Sequence, residues 1–292
     1  MSDSPLVVVT GANGFVGSHV CSALVARGAT VRAIVRRPGT APVGVEEVVG
    51  PFDDPTFAAQ VCQRADAAVT TVHPMSDDRE TQHRIGVVGT TAFARAAREA
   101  GVSRLVHVST AAVYDRSPGV GDVDEGSPLV GDDANDYAVT KRDTDLSLAE
   151  VDGLTRVLVR PPAILGAGES SVWNTVRPAE MRDHEEERLA PPARQTFAWV
   201  HVDDLAGFLA DVATSRFGPR DAGCTAVNVC AGSATVRDYV ETVTGALGID
   251  PVWDDRPAWT GQILADRARR WGWVPEVGLD GALAEIAAGL GG

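Results

Sequence analysis

A short run of β-branched residues that leads into a glycine-rich turn and then a helix constrains the fold of this chain most. Leu6–Thr10 has the length and branching of a buried strand, and Ser18–Arg27 has helical spacing. Between them, Gly11 permits a tight turn, Gly14 lets the backbone approach a pyrophosphate, and Gly17 lets the helix pack closely on the strand. The helix N-terminus adds N–H groups and a positive dipole. We therefore predict a dinucleotide-binding loop, with cofactor contacts from Gly11, Asn13, Gly14, Phe15, Val16 and Gly17.

Strand-like and helical segments alternate along the first 160 residues. Alternation at this interval requires parallel strands that are joined by crossover helices. The sequence therefore predicts an α/β fold, a Rossmann-type doubly wound parallel sheet. Beyond the first strand, we predict strands at Val31–Val35, Val45–Val49, Ala67–Val72 and Leu105–Ser109, and helices near Pro55–Arg64 and over Thr90–Ala100.

The pattern changes after Pro161 and Pro162. Residues 166–195 are polar, and the charged stretch Met181–Arg188 is typical of a solvated helix face. We predict a dinucleotide-binding domain formed by residues 1–162 and about 197–230, and a smaller interleaved substrate-binding lobe formed by about 163–196 and 231–292. Later strands are predicted at Phe197–Val202 and Ala226–Val229, and later helices at Asp203–Ala213, Val236–Leu247 and Leu279–Leu290.

Composition excludes several classes of function. The 26 basic and 40 acidic residues give a formal net charge of −14, which argues against nucleic acid or an anionic membrane as a partner. No apolar run approaches the roughly 18 residues of a membrane span, and Met1–Pro5 lacks the basic region of a signal peptide. The four cysteines form no C-x-x-C pair and the six histidines have no metal-ligand spacing. We expect reduced thiols, no metal, a cytoplasmic location and a small-molecule substrate.

The end of the second strand indicates which dinucleotide is bound. NAD-selective folds place a carboxylate there to bond the ribose hydroxyls, whereas this chain has Arg36 and Arg37. Guanidinium groups pair with a 2′-phosphate that a carboxylate would repel. The sequence therefore favours NADP over NAD, the alternative being that both arginines are simply solvated. Thr71, at the end of the fourth strand, is a further cofactor candidate, and Asp54 either helps to hold the adenine or lies in a surface turn.

Tyr137 and Lys141 are four residues apart, which places them on one face of a helix. A phenol has a pKa of about 10, and a neighbouring ammonium group favours the phenolate and lowers that value. Thr110 follows a predicted strand, at the edge of the sheet where open α/β folds bind their ligands. Its hydroxyl can hydrogen bond to a substrate oxygen that gains charge. Tyr114, further along, is predicted to be a packing residue.

These landmarks together resemble the extended short-chain dehydrogenase/reductase family, also called the NAD-dependent epimerase/dehydratase family. The resemblance is carried by Thr10–Gly17, Ser109–Tyr114, Tyr137–Lys141, Arg160–Pro162 and Trp199–Ala206, and by Trp271–Pro275 near the C-terminus. It implies that Tyr137 is the general acid/base, that Lys141 lowers its pKa and binds the nicotinamide ribose, and that Thr110 is the family's catalytic Ser/Thr. It also implies that Pro161, Ala163 and Ile164 face the nicotinamide carboxamide, and that the protein is a homodimer.

Departures from the family pattern narrow the reaction. Ala111 and Ala112 stand where nucleotide-sugar dehydratases have Asp-Glu, and Ala163 stands where many epimerases have Asn. Pro51 replaces an Asp that touches adenine in the family, and His73 is placed either to face the substrate or to pack. The leading hypothesis is an NADP-dependent carbonyl reductase or alcohol dehydrogenase for a small organic substrate. The alternatives are a sugar or nucleotide-sugar epimerase with tightly bound NAD, and a cofactor-sensing regulatory protein.

Overall fold

The computed structural model describes residues 4–74, 78–183 and 191–291. Their backbone contacts divide into two compact units. The first unit comprises residues 1–113, 129–160 and 206–227, and the second comprises residues 114–128, 161–205 and 228–292. Residues 197–205, which the sequence analysis groups with the first region, lie in the second unit.

The chain alternates strands and helices as predicted. The ten strands of the described residues are β1 Leu6–Thr10, β2 Thr30–Val35, β3 Glu46–Val49, β4 Ala67–Thr70, β5 Arg104–Val108, β6 Thr155–Arg160, β7 Ala163–Leu165, β8 Thr196–His201, β9 Gly223–Asn228 and β10 Gly232–Thr235. The ten α-helices of the same residues are α1 Phe15–Ala26, α2 Pro55–Val61, α3 Arg79–Gln82, α4 Thr90–Glu99, α5 Asp136–Ala149, α6 Arg177–Asp183, α7 Val202–Ala213, α8 Val236–Leu247, α9 Asp266–Arg270 and α10 Leu279–Leu290.

A seven-stranded sheet forms the centre of the first unit. Its order is β3-β2-β1-β4-β5-β6-β9, and the pairs from β3 to β6 are all parallel. The order reverses beside β1, which is the arrangement of doubly wound dinucleotide-binding sheets. The predicted fold class is therefore confirmed. Because ligands of such sheets bind outside the carboxyl ends of the strands at the reversal, the loops after β1 and β4 are the expected site.

The residues of the central strands explain why they form the core. All four residues of β4 and all five of β5 are buried, as expected for strands covered by helices on both faces. Phe93 of α4 packs with Phe52 at 6.4 Å between ring centroids, and both belong to an apolar cluster with Leu105 and Leu154. This packing fixes β4 and β5, the strands from which Thr71 and Thr110 follow.

The second unit contains a three-stranded sheet of its own. Its order is β10-β8-β7, with β8 antiparallel to β10 and parallel to β7. An apolar cluster that includes Phe197, Trp199 and Tyr239 packs on this sheet. Helix α8 begins with a reciprocal capping box between Thr235 and Asp238, which satisfies two N–H groups at the start of the helix.

The predicted charged helix face in the polar region is described only in part. Met181 to Asp183 belong to α6, whereas residues 184–188 of the predicted charged helix face lie outside the described residues. The four cysteines carry free thiols; three are buried and Cys224 is exposed. No helix in the described part of the chain has the length and apolarity needed to cross a membrane.

Candidate functional site

The glycine loop between β1 and α1 is shaped by the absence of side chains. Gly11 has a φ of 65°, a left-handed conformation that favours glycine, and its carbonyl accepts a hydrogen bond of 2.9 Å from the Gly14 N–H. A Cβ atom on Gly17 would lie 2.1 Å from the Gly11 carbonyl oxygen. Only glycine therefore lets the start of α1 pack this closely against the turn. Phe15 and Val16, the other predicted contacts, form the first turn of α1.

The N-terminus of α1 is suited to receive a pyrophosphate. Gly14 is its N-cap, and in the described residues no side chain caps the helix and no acidic residue lies in its first turn. Its first N–H groups are therefore free of the usual capping carboxylate or hydroxyl, and the helix dipole favours an anion there. Thr71 lies next to the glycine loop, since its hydroxyl donates to the Thr10 carbonyl at 2.8 Å. Thr71 and the glycine loop are therefore close enough to contact the same cofactor.

The loop after β2 is tied down by a carboxylate. The Glu47 carboxylate accepts hydrogen bonds from the backbone N–H groups of Gly39, Thr40 and Ala41 at 2.9 to 3.0 Å. These bonds lower the pKa of Glu47. Asn13 of the glycine loop donates to the Thr40 hydroxyl at 3.3 Å. The loop that follows the two predicted arginines is therefore fixed next to the glycine loop.

Arg36 and Arg37 are both exposed at the end of β2. Neither makes an ion pair within residues 4–74, 78–183 and 191–291. Asp54, by contrast, is occupied structurally, because its side chain caps α2 by accepting from the Phe57 N–H at 2.7 Å. Of the alternatives left open for Asp54, the structure favours the local turn.

Tyr137 and Lys141 lie one turn apart on α5, and Thr110 follows β5 in the same unit. The Thr110 side chain hydrogen bonds to Tyr137 and lowers its pKa, while burial raises the pKa above its ordinary value of 10.0 and is the larger effect. Burial dominates because desolvation disfavours the charged phenolate more than the Thr110 hydrogen bond favours it. The role of Lys141 in lowering the pKa of Tyr137 stays a prediction.

His73 packs against Tyr137. The two rings meet edge to face, with 5.3 Å between centroids, and His73 Nε2 lies 3.2 Å from the Thr140 hydroxyl. A Cβ atom on Gly86 would lie 2.6 Å from His73 Nδ1, so the missing side chain makes room for the imidazole. Burial lowers the pKa of His73 to about 3, and the nearby Lys141 charge makes a smaller contribution in the same direction. The imidazole is therefore neutral at physiological pH and holds the Tyr137 ring in place.

Lys141 is a buried charge. Its side chain is 3% exposed, and its Nζ donates to the Val108 carbonyl at 2.8 Å. Burial lowers the pKa of Lys141 from 10.5 to about 8, and the Asp145 carboxylate opposes that effect. Asp145 is in turn paired with Arg160 of β6, at 2.9 Å between Oδ2 and Nε. The charge on Lys141 is thus supported by a buried ion pair on the next helical turn.

Asp145, Arg160 and His107 complete this cluster, although no motif in the sequence predicts their part in it. His107 is fully buried, its Nδ1 lies 2.9 Å from the Thr70 hydroxyl, and burial lowers its pKa well below the ordinary value. One sequence signal would have marked the cluster. Lys141 is the only lysine in the chain, against 25 arginines. A chain that uses arginine at every other basic position keeps a lysine where a compact, titratable ammonium group is needed.

Three predicted cofactor contacts belong to the second unit. Pro161 follows β6, and Ala163 and Ile164 lie in β7, where they pair in register with Trp199 and Val200 of β8.

Tyr114 is 1% exposed and donates its hydroxyl to the Asn228 side chain at 2.7 Å, so its packing role is confirmed. No group of three or more metal-ligating side chains occurs in the described ranges.

Comparison with known proteins identifies the family of this site. Residues 7–241 match the NAD dependent epimerase/dehydratase family. The chain belongs to that family. The resemblance inferred from the sequence is therefore confirmed, and the fold and glycine loop are those of the extended short-chain dehydrogenase/reductases.

The relatives include reductases and epimerases. A ketoreductase of a farnesylated dihydroquinoline oxide from Stigmatella aurantiaca is 34% identical over 174 residues, 56% of this chain and 51% of that protein. A 2-alkyl-3-oxoalkanoate reductase from Stenotrophomonas maltophilia is 29% identical over 214 residues, 70% of this chain and 64% of that protein. The chain thus matches about half to two thirds of the length of these curated relatives. The solved UDP-glucose 4-epimerase of Thermus thermophilus, in complex with NAD, superposes with a TM-score of 0.77 at 23% identity, covering 98% of this chain and 99% of that one.

Replacing Lys141 tests its burial through the pH dependence of stability. A folded-state pKa of about 8 against 10.5 means that the unfolded chain holds the proton more tightly. The penalty is fully present below pH 8 and is relieved as the pH rises towards 10.5. We expect Lys141→Met to raise the free energy of unfolding by about 1–3 kcal/mol at pH 7, and the gain to vanish near pH 10.

Urea unfolding at a series of pH values measures this difference. The buried thiols of Cys21 and Cys62, whose pKa values burial raises to about 12, titrate in both proteins and cancel in the comparison. Arg98→Met, at a partly exposed arginine that pairs with Glu99 at the end of α4, is the control and leaves the pH profile unchanged. A Lys141→Met protein whose profile runs parallel to the wild type would show that Lys141 is not a desolvated charge.

Proposed function

We propose that this chain is an NADP-dependent carbonyl reductase or alcohol dehydrogenase that acts on a small organic substrate. The observation that carries the proposal is the grouping of Thr110, Tyr137 and the single lysine, Lys141, in the unit that also holds the glycine loop. The glycine loop fits the pyrophosphate of a nicotinamide dinucleotide. A regulatory protein that only senses the cofactor would not need to maintain a buried ammonium group beside a phenol.

Tyr137 moves the proton of the reaction. Its pKa is raised by burial, so the phenol is protonated at neutral pH and donates its proton to the carbonyl oxygen of a ketone or aldehyde. Thr110 orients the Tyr137 hydroxyl and supplies a second hydrogen bond to the oxygen as charge develops there. Lys141 then stabilises the phenolate that is left, until a proton from solvent restores it. When bound, the nicotinamide supplies the hydride that goes to the carbonyl carbon.

The relatives support a reductase. Two of them are named for the reduction of a ketone, and 2-alkyl-3-oxoalkanoates are chemically simple oxo acids. We extend only the reaction class to this chain, as a reduction of a carbonyl group. The epimerase alternative differs in net chemistry, because an epimerase returns the hydride to its substrate. Turnover that changes the nicotinamide absorbance in proportion to substrate supports the reductase, whereas turnover without that change supports an epimerase.

The proposal assigns the two units different tasks. The first unit holds the glycine loop, Arg36, Arg37 and the catalytic side chains, and we assign it the nucleotide and the proton transfer. Pro161, Ala163 and Ile164 stay proposed contacts of the nicotinamide from the second unit. We assign substrate recognition to the second unit, in which the aromatic cluster is the buried core that supports the small sheet.

Removing the Tyr137 hydroxyl tests the acid/base assignment. We expect Tyr137→Phe to lower kcat by a factor of about 10² to 10⁴, since a positioned proton donor contributes that much, and to leave NADPH affinity unchanged. A panel of ketones and aldehydes, followed at the nicotinamide absorbance, provides the measurement. Tyr239→Phe is a matched control, because it removes a hydroxyl that only bonds the Trp173 carbonyl at 2.7 Å. Intact turnover in Tyr137→Phe would rule out the assignment.

The choice of NADP rests on two exposed arginines without partners in the described structure and on an engaged carboxylate. Glu47, on the adjacent strand β3, already accepts three backbone hydrogen bonds from the loop after β2. It is therefore not available for the ribose hydroxyls in the way that NAD-selective folds use a carboxylate. Arg36 and Arg37 are available for a 2′-phosphate.

Substitution of both arginines tests this preference. We expect Arg36→Ala combined with Arg37→Ala to weaken NADPH binding about 10- to 100-fold, the loss of charge-assisted hydrogen bonds, and to leave NADH binding unchanged. Nicotinamide fluorescence titrations measure both dissociation constants. Arg98→Ala on α4 is the control for a change of net charge alone. Equal effects on the two nucleotides, or tighter binding of NADH by the wild type, would contradict the preference.

We propose further that the protein is a homodimer. Helix α4, the π-helical turn His83–Gly89 before it and helix α5 together line an open groove of mixed polarity, in which Val88 is 54% exposed. Leu146 on α5 is 53% exposed. Exposed apolar side chains of this size on adjacent helices are typical of a surface that is covered by a partner, and a second copy of the chain satisfies both helices symmetrically.

A charge at this face tests the homodimer. We expect Val88→Glu combined with Leu146→Glu to convert the wild-type dimer to a monomer, because two buried carboxylates without partners oppose association. Sedimentation equilibrium measures the mass. Val43→Glu, at a fully exposed valine, leaves the mass unchanged. A wild-type protein that sediments as a monomer would overturn the homodimer and leave the reductase proposal untouched.

A further inference from the structure

Arg116 lies on a segment of the second unit, residues 114–128, that is held rigidly around it. Tyr114 donates to the Asn228 side chain at 2.7 Å, and the Asp115 N–H donates to the Pro128 carbonyl at 3.0 Å. On the other side, the Asp115 carboxylate accepts from the N–H and the hydroxyl of Ser117 at 3.0 and 2.6 Å. The backbone on both sides of Arg116 is therefore fixed before any ligand arrives.

Among residues 4–74, 78–183 and 191–291, the guanidinium group of Arg116 has no anionic partner. Its Nε is buried without a hydrogen bond, and Arg116 makes no ion pair in the described parts of the chain. The carboxylates of the same segment are all committed elsewhere. Asp115 accepts a hydrogen bond from Ser117, and Asp122 accepts one from the Gln262 N–H. Asp124 accepts from the Gly126 N–H, and Glu125 accepts from the Asn228 N–H.

An indole ring takes the place of a carboxylate. The Arg116 guanidinium carbon lies 5.5 Å from the centroid of the Trp259 ring. Trp259 is 4% exposed and donates its Nε1–H to the Gly121 carbonyl at 2.9 Å. A cation over an aromatic face recovers only part of the hydration that burial removes, and burial lowers the pKa of Arg116. The residue as a whole stays half-buried, so the guanidinium is not sealed off.

Partial burial of the Arg116 guanidinium without an anion beside it costs folding free energy. A partly desolvated guanidinium in a chain with a net charge of −14 has many carboxylates available, and yet none of those in the described parts of the chain pairs with it. A planar fork of donors on a rigid segment next to an indole face matches a carboxylate or phosphate oxygen that is attached to an apolar group.

We propose that Arg116 is a binding site for an oxyanion of the substrate, a carboxylate or a phosphate, and that it selects anionic substrates for this enzyme. The selection of substrates rests on the proposed reductase function, whereas the binding of the anion does not. Arg116 belongs to the second unit, to which the proposed function assigns substrate recognition. Trp259 supplies the apolar contact for the carbon chain that bears the anion.

Binding of simple probes tests the site without turnover. The full-length protein, labelled with ¹⁵N-arginine, is titrated with hexanoate, hexyl phosphate and hexanol, with and without NADP. The Nε–H resonance of Arg116 is assigned by its disappearance in Arg116→Lys. We expect a saturable shift of this resonance with one or both anions and none with hexanol. In calorimetry, Arg116→Met weakens that binding about 10- to 100-fold, the loss of a charge-assisted hydrogen bond.

The control is Arg256→Met, an exposed arginine of the same unit that pairs with Asp254 at 3.4 Å. It leaves anion binding unchanged. A response to hexanoate alone identifies a carboxylate, a response to hexyl phosphate alone identifies a phosphate, and either supports the site. Absence of a response to both anions, an equal response to hexanol, or unchanged binding in Arg116→Met would overturn it.

The outcome is separable from the reductase proposal. The probes carry no carbonyl group, and the shift is read in nucleotide-free protein as well as with NADP. Failure of the chain to bind NADP, measured by nicotinamide fluorescence, would contradict the proposed function but not the proposed anion site. For a ketone substrate that bears an acid, Arg116→Met is expected to raise KM about 10- to 100-fold with kcat nearly unchanged. For the methyl ester of the same substrate, the wild type and Arg116→Met are expected to have the same KM.

Discussion

The site depends on one unfavourable event, the removal of the Lys141 ammonium group from water. Burial alone would drive the lysine to lose its proton near neutral pH. The Val108 carbonyl and the Asp145 carboxylate oppose this, and Arg160 in turn neutralises Asp145. The proton on Lys141 is therefore retained by a chain of buried partners that spans α5 and β6. Because the charge is held in a low-dielectric environment, it acts strongly on whatever lies next to it.

The fold provides this environment through the parallel sheet. The fully buried strand β5 brings the Val108 carbonyl to Lys141 and leads into Thr110, and α5 carries Tyr137, Lys141 and Asp145 on successive turns. Glycine serves the same end at Gly86, where the missing side chain admits the neutral His73 ring against Tyr137. The glycine loop after β1 provides the anion-binding helix terminus. The protein is thus less stable than it could be, because polar groups that water would otherwise solvate are buried at the carboxyl ends of the strands.

Much of the fold could be predicted from the sequence, because it rests on local pattern. The β-branched runs at β1, β2 and β4 and the helical spacing of α8 and α10 correspond to the observed elements within one or two residues. The π-helical turn at His83–Gly89 and strand β6 were not predicted. A π-helix has no distinct hydrophobic period. In β6 the short apolar run Val157–Val159 lies between Arg156 and Arg160, whose buried side chains bond the Ala149 carbonyl and the Asp145 carboxylate only in the folded chain.

The site was predicted where a motif is local and missed where it is not. The spacing of Gly11, Gly14 and Gly17, and of Tyr137 and Lys141, can be recognised along the chain. Asp145 and Arg160 are 15 positions apart and become a pair only when β6 joins the sheet. For Arg116 the informative fact is the lack of a partner, which a sequence cannot display. The burial that raises the pKa of Tyr137 is likewise a property of the folded chain, and no local pattern displays it.

The central claim is that Lys141 is a desolvated charge, and the single lysine makes it directly measurable. Protein labelled with ¹³C and ¹⁵N at lysine gives one side-chain Cε resonance, whose shift is followed by NMR between pH 6 and pH 12. The account predicts a titration midpoint at about 8. It also predicts that Asp145→Asn moves the midpoint to lower pH, since the supporting carboxylate is lost. A midpoint at the ordinary value near 10.5, unchanged in Asp145→Asn, would contradict it.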